Sequence, residues 1–334
     1  MNFKSYLEEN SERIDALIAT YFKPDTYDDI NRYLYEPLAK YSANGGKRHR
    51  PLICELASGA VGGNTQLVSA AAAAIEHFHT AALIHDDIAD ESAMRRGEAC
   101  LHISEGEGLA INAGDLALSQ VTGSVLADKR LPEALRLRVL EELVKMTTRT
   151  IEGQALDIGW ARDGRFDLSI EDYLQMAKRK TAYYSGGTPL AVGAIIGGGS
   201  EEQIAALREF GMAAGLAFQI QDDLLNLTGN RELLGKDYRS DITEGKRTLI
   251  AVHALQHAPQ KDELVSLLAS HTTEPRQLAS AVEIMQAAGS LEFARDYATK
   301  LVISAKTDVA ATLEDNEYTR LLTQMADFFI ERIQ

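Results

Sequence analysis

The chain has 334 residues, 45% of them hydrophobic and 25% charged, an ordinary globular composition with enough apolar content for a sizeable core. Its formal charge of -15, from 34 basic against 49 acidic residues, argues against non-specific binding to nucleic acid. It also means that an anionic substrate must be held by local basic clusters and metal, because the overall field repels it.

The first residues, Met1 to Glu9, are too acidic and mixed for a signal peptide. Phe3, Tyr6, Leu7, Ile14, Leu17 and Ile18 then recur at helical spacing, with Lys23-Pro24 as the stop. Tyr27 to Tyr41 is a second helical pattern, broken at Asn44-Gly45-Gly46, where backbone N–H groups can face an anion. Lys47-Arg48-His49-Arg50-Pro51 follows, with Pro51 suited to a helix start. This stretch reads as a phosphate-binding turn or as a basic surface loop. Cys54 and Cys100 give no disulfide framework, so a reducing cytoplasm is the expected compartment.

Gln66 to Glu91 is alanine-rich, with little to break a helix. It ends in His85-Asp86-Asp87-Ile88-Ala89-Asp90. Residues four apart share a helix face, so Asp86 and Asp90 point the same way, with Asp87 flanking. The group reads as a solvated acidic face or as hard oxygen ligands for Mg²⁺. His79 lies two turns below Asp86, as a packed core residue or as a ligand contact. Met94-Arg95-Arg96-Gly97 leaves the helix in a turn, and paired arginines there can hold phosphate oxygens.

Further helices are expected over Ile111 to Leu126 and from Pro132 to Trp160; Gln154 and Asp157, late in the second, read from spacing as surface. Ser169 to Asp172 reads as a capped helix start, and Lys178-Arg179-Lys180-Thr181 as the end of that helix, where cations suit the dipole. Pro189 to Gly199, the longest apolar run in this reading, is about half a membrane span, so no spanning segment is expected. Ser200 to Gln203 begins the helix of Gln219 and of a second acidic group, Asp222-Asp223-Leu224-Leu225-Asn226. Two such groups suggest two walls of one cavity, and with the basic clusters they describe a diphosphate held through Mg²⁺. Thr228 to Asp241, with Lys236, is a lid or a plain connection before Gly245-Lys246-Arg247. From Leu249 onward the pattern is amphipathic helix after helix. No sustained period-two alternation occurs, so the fold class is all-α.

These motifs, in this order, closely resemble the trans-isoprenyl diphosphate synthases, the polyprenyl synthetase family, over nearly the whole chain. Gly45-Gly46-Lys47-Arg48-His49-Arg50-Pro51 is similar to the family's GGKxxRP, and Asp86 to Asp90 with Arg95-Arg96-Gly97 to its first aspartate-rich motif and RRG. Gly153-Gln154 to Asp157 is similar to GQxxD, Lys180-Thr181 to KT, and Phe218 to Asp223 to FQxxDD. Leu234-Gly235-Lys236 and Glu244-Gly245-Lys246 are similar to its late lysine motifs. The last Asp of the second motif is replaced by Asn226, which carries no charge and puts a direct metal role there in doubt.

The resemblance implies one domain over 1–334, an isoprenoid-synthase-type bundle of antiparallel helices around a deep central cavity, and a homodimer. It implies a transferase that condenses an allylic diphosphate with isopentenyl diphosphate. By that resemblance Asp86 and Asp90 ligand two of about three Mg²⁺ ions and Asp222 the third, with Asp87 and Asp223 supporting them. Arg95, Lys180 and Lys236 contact the allylic diphosphate, Thr181 and Gln219 line the reacting end, and Lys246 helps to close the site. Gly46, Lys47, Arg50, His79 and Arg96 hold isopentenyl diphosphate. The resemblance also places Gln154 and Asp157 in the site, against their spacing.

In the family, bulky residues four and five positions before the first Asp floor the cavity. Here these are Ala82 and Ala81, so a product of C20 or longer is expected. Three rivals remain. A terpene cyclase of related architecture does not need the isopentenyl diphosphate set. The catalytic subunit of a heteromeric long-chain synthase is a second reading; the non-catalytic subunits of such enzymes typically lose aspartates that are present here. A helical acidic scaffold would bind no diphosphate with Mg²⁺.

Overall fold

The computed structural model describes residues 2–229 and 238–331. In chain order its helices are α1 (Phe3–Ala19), α2 (Asp28–Ile30), α3 (Glu36–Ala43), α4 (His49–Ala60), α5 (Ser69–Ala89), α6 (Leu101–Ser104), α7 (Glu107–Ala127) and α8 (Glu133–Arg162). There follow α9 (Ile170–Ala177), α10 (Thr188–Ile196), α11 (Glu201–Thr228), α12 (Ser240–Thr243), α13 (Leu249–His257), α14 (Lys261–Ala269), α15 (Pro275–Ala287), α16 (Ser290–Thr312) and α17 (Glu317–Ile330). Strands among the described residues are confined to the hairpin of β1 (Met94–Arg95) and β2 (Glu98–Ala99). The all-α expectation therefore holds.

The chain divides into two compact units. The first comprises Met1–Thr147, Thr188–Arg208 and Thr312–Gln324; the second comprises Thr148–Gly187, Glu209–Ala311 and Met325–Gln334.

In the first unit α5 is the central element, packed against α7, α4 and α1. Its run from Ala70 to Ala74 is buried, and such small side chains let neighbouring helices approach closely. The α4–α10 contact is of this kind: a Cβ on Gly193 would run into the Cys54 carbonyl oxygen. Among the described residues, one helical stretch, Thr65–Ala89, is long and apolar enough to cross a membrane, with mean hydropathy 1.4. Its most apolar window is 78% buried, as expected of a core helix.

In the second unit the chain leaves α9 without a helix end. Lys178–Gly187 continues it as a π-helix of ten residues, which runs into α10. The Lys178-Arg179-Lys180 cations therefore do not cap a helix C-terminus, contrary to the reading from charge alone. Wide turns of this type are rare and often sit at functional sites. The caps read from sequence are present: Ser169 and Asp172 bond reciprocally at the start of α9, and Ser200 and Gln203 at the start of α11.

Candidate active site

In the first unit, Asp86, Asp87 and Asp90 fall in the last turn of α5, with Asp90 as its C-cap. Carboxylates there face the negative end of the helix dipole as well as one another, so the arrangement favours a bound cation. The three are not equivalent. Asp86 is half-buried and Asp90 exposed, whereas Asp87 is fully buried. Asp87 Oδ1 accepts from Arg95 Nε at 2.7 Å and lies 2.7 Å from Arg95 Nη2; Oδ2 accepts from the Tyr41 hydroxyl at 2.7 Å. Burial and this carboxylate push the Tyr41 phenol above its usual range, so it stays a donor.

The two arginines of the hairpin do different work. Arg95 lies on β1 and grips Asp87. Arg96 and Gly97 form the turn, both at positive φ (52° and 83°), as a two-residue hairpin of this kind requires. Arg96 Nη1 donates to the Asn44 carbonyl at 3.2 Å and to that of Gly45. A Cβ on Gly46 would lie 3.2 Å from both terminal nitrogens of Arg96, so glycine there leaves room for the guanidinium.

Lys47 is exposed, while Arg48, His49 and Arg50 are buried. Arg48 is a structural tie: its Nη1 donates to Glu76 on α5 at 2.7 Å, its Nε to Asp15 on α1 at 2.6 Å, and its Nη2 to the Ser42 carbonyl at 2.5 Å. His79 lies on α5 with Arg50, His49, Arg96 and Arg48 around it. Burial first, and then those cations, hold its pKa well below the usual range, so the imidazole is neutral. His79, Arg50, Arg96 and the Gly45-Gly46 turn are thus assembled as a basic pocket.

In the second unit, Asp157 is buried and its Oδ2 pairs with Lys180 Nζ. Burial raises the Asp157 pKa, but Lys180 outweighs it and holds the carboxyl below its ordinary value. The surface placement read from spacing was wrong for Asp157: a Cβ on Gly153 would strike the Lys180 backbone nitrogen, so α8 and the π-helix meet here with no gap. Gln154 is half-buried.

A continuous chain of hydrogen bonds follows. Thr181 Oγ1 donates to Gln219 Oε1 at 2.7 Å, Gln219 Nε2 donates to Asp223 Oδ1 at 2.8 Å, and the Tyr173 hydroxyl donates to Asp223 Oδ2 at 3.0 Å. Asp222 is half-buried and Asp223 buried. Burial, Asp241 and Asp222 raise the Asp223 pKa despite those hydrogen bonds. Asp241 is also raised, by burial first and by Glu244, against the pull of Lys246. Crowded acids of this kind are relieved by a cation among their oxygens.

Lys246 Nζ pairs with Glu244 and lies 4.0 Å from Asp241. Asn226 accepts from the Asp241 backbone nitrogen at 3.3 Å and donates to Ser240 Oγ at 3.0 Å. Both ends of its amide thus fasten the following segment, in keeping with the doubt about a metal role. Lys236, with Leu234-Gly235, lies outside the described residues. Sequence reasoning missed Tyr41, Tyr173, Glu76 and Asp241. Tyr41 and Glu76 fall in helical patterns and Tyr173 and Asp241 near motifs, but nothing local singles out any of the four.

Among the described residues, no three of His, Cys, Asp and Glu converge as a closed metal cage. Asp86 and Asp90 in the first unit, and Asp222 in the second, carry hard oxygen donors of the kind Mg²⁺ takes.

The profile of the polyprenyl synthetase family matches residues 31–285. The chain belongs to that family. This polyprenyl synthetase is 42% identical to a short chain isoprenyl diphosphate synthase of Methanothermobacter thermautotrophicus, over 98% of this chain and 97% of the relative. It is 36% identical to a geranylfarnesyl diphosphate synthase of Natronomonas pharaonis, over 93% and 91%. Among solved structures it resembles a geranylgeranyl pyrophosphate synthetase of Pyrococcus horikoshii, with a TM-score of 0.90 at 32% identity, covering 99% of this chain and 98% of that one. A geranylgeranyl pyrophosphate synthase of Corynebacterium glutamicum, solved with isoprenyl diphosphate and magnesium, gives 0.88 at 29% identity, covering 99% and 100%. The polyprenyl synthetase described here is accordingly a prenyltransferase of the trans-isoprenyl diphosphate synthase type.

Proposed function

We propose that this prenyltransferase, one polyprenyl synthetase domain over 1–334, extends an allylic diphosphate with isopentenyl diphosphate to an all-trans product of C20 or longer. The observation that carries the reading is the layout of α5. Its C-terminal turn holds the acidic pair Asp86 and Asp90, and its His79, about 10 Å lower on nearly the same face, lies in the basic pocket. A metal end and an anion end on one helix suit two diphosphate substrates.

Asp86 and Asp90 would hold Mg²⁺ for the allylic diphosphate, as would Asp222, about three ions in all by resemblance to the family. When bound, Mg²⁺ stabilises charge on the departing diphosphate. Arg95, Lys180 and Lys236 contact that diphosphate, and Lys246 closes over it. Lys47, Arg50, His79 and Arg96, with the Gly46 turn, hold isopentenyl diphosphate. Ionisation of the allylic C–O bond releases diphosphate and leaves a delocalised cation; the isopentenyl double bond attacks it, and the released diphosphate takes the proton lost from the adduct. The Thr181 carbonyl and Gln219 Oε1 face the cation, while Gln154 and Asp157 support that end. An apolar lining would keep water from the cation.

The chain acts as a homodimer in the cytoplasm. Support for self-association comes from α8, which exposes Leu137, Val144, Ile151 and Ile158 at seven-residue steps. A long apolar stripe of this kind on one helix is a usual interface feature.

The direct test incubates the protein with Mg²⁺, labelled isopentenyl diphosphate and, separately, dimethylallyl, geranyl and farnesyl diphosphates. Chains of C20 or longer are expected; no incorporation from any primer would overturn the reading. The product length has its own test at Ala81. This residue is fully buried beside Ile84 on α5 and Ala110, Ala113 and Ala117 on α7, so small side chains line both helices. Ala81→Phe places a ring among them and is expected to shorten the product, read by chromatography of the dephosphorylated chains. An unchanged product length would remove Ala81 from the floor.

A further inference from the structure

The two aspartate-rich turns lie in different units, yet each treats its second aspartate in the same way. In the first unit Asp87 is 0% exposed, in the second Asp223 is 6% exposed, and in each both carboxylate oxygens are already engaged by the protein. One oxygen of each accepts from a tyrosine hydroxyl on another element: Tyr41 of α3 on Asp87 Oδ2 at 2.7 Å, Tyr173 of α9 on Asp223 Oδ2 at 3.0 Å. The other accepts from Arg95 in the first unit and from Gln219 in the second. The first aspartates, Asp86 and Asp222, are half-buried in contrast.

We propose that Tyr41 and Tyr173 are positioning residues that lock Asp87 and Asp223 as anchors, so that Asp86, Asp90 and Asp222 alone present carboxylate oxygens to metal. Asp87 already takes three donor contacts and Asp223 two, so each has fewer of its roughly four lone-pair sites left for an ion, and burial withdraws both from solvent. Each does fix the rotation of the helix turn that carries its neighbour. Outer groups that orient metal ligands act in this way, and losing one typically costs about 10- to 100-fold in metal affinity.

The two tyrosines differ in weight. Asp87 keeps a charge-assisted bond from Arg95 when Tyr41 loses its hydroxyl. Asp223 keeps only the neutral amide of Gln219 among the donors described here. The larger effect therefore belongs to Tyr173.

This proposal rests on the metal assignment made above, and the test separates the two. Binding of inorganic pyrophosphate is measured by calorimetry across a Mg²⁺ titration, for the wild type, Tyr41→Phe and Tyr173→Phe. Tyr173→Phe is expected to raise the Mg²⁺ concentration at half-saturation about 10-fold and Tyr41→Phe about 3-fold. The KM for isopentenyl diphosphate should stay within about 2-fold of wild type, because the basic pocket is untouched. Asp223→Asn and Tyr173→Phe/Asp223→Asn complete a cycle, in which the double variant is expected to be no worse than the worse single variant. Variants that match the wild-type Mg²⁺ dependence, or additive losses in the cycle, would overturn the proposal alone. A wild type that binds no pyrophosphate at any Mg²⁺ concentration would overturn the metal assignment and the proposal with it. A folding defect would shift melting temperature and both substrate constants together, and that pattern also counts against a positioning role.

Discussion

Asp86→Asn is expected to lower kcat by about 10²- to 10³-fold, the range found when one group that stabilises transition-state charge is removed. Asp86 is half-buried in the last turn of α5, where its charge opposes the helix dipole and the neighbouring Asp87 and Asp90. Neutralising it relieves that repulsion but also gives up its attraction for Arg95, so the melting temperature should change little while activity falls. That separation of the two readouts is the useful part of the result. A residue needed only for folding would lower both. Single-turnover rates and a thermal melt on the same preparation check it, and a kcat within a few-fold of wild type would remove Asp86 from the metal set.

Glu76→Gln is expected to cost about 3 kcal/mol, the lower end for breaking a buried ion pair, and to lower the melting midpoint by about 4 °C. Glu76 and Arg48 are both 3% exposed at the side chain, with Nη1 and Oε1 2.7 Å apart. The amide can still accept a hydrogen bond but removes the negative charge, leaving the guanidinium buried without that counter-charge. Asp15 and the Ser42 carbonyl still accept from it, and this keeps the cost at the lower end. The exposed pair Arg138–Glu201, at 41% and 80%, is the control, since such pairs contribute about 0–1 kcal/mol. Arg48 also sits at φ 48° as the N-cap of α4, between Lys47 and Arg50. Loosening it should raise the KM for isopentenyl diphosphate. A melt unchanged by Glu76→Gln, beside an unchanged Glu201→Gln control, would show that the tie is not structural.

Much of the fold was legible in the residues. Alanine-rich and amphipathic runs, the Ser169 and Ser200 caps and the glycine breaks act within a turn or two of chain, and local sequence is enough to read them. The acidic groups were legible for the same reason, since four-residue spacing alone puts Asp86 and Asp90 on one face. Product length was readable only as an expectation from Ala81 and Ala82.

Other features depend on partners distant in the chain. Spacing assigned Asp157 to the surface, but the lack of a side chain at Gly153 draws the π-helix against α8 and buries Asp157 beside Lys180. The cations at 178–180 looked like a helix end because nothing local announces a π-helix. Lys47 to Arg50 read as one cluster, and only packing separated the Arg48 tie from its neighbours.

By itself the sequence determined the all-α class, the order of the motifs and the family, because periodicity, caps and motif spacing are written along the chain. Tertiary structure alone decided which acids are held and which are presented. Tyr41 precedes Asp87 by 46 positions and Tyr173 precedes Asp223 by 50, and a hydrogen bond over such a separation exists only once the helices have packed.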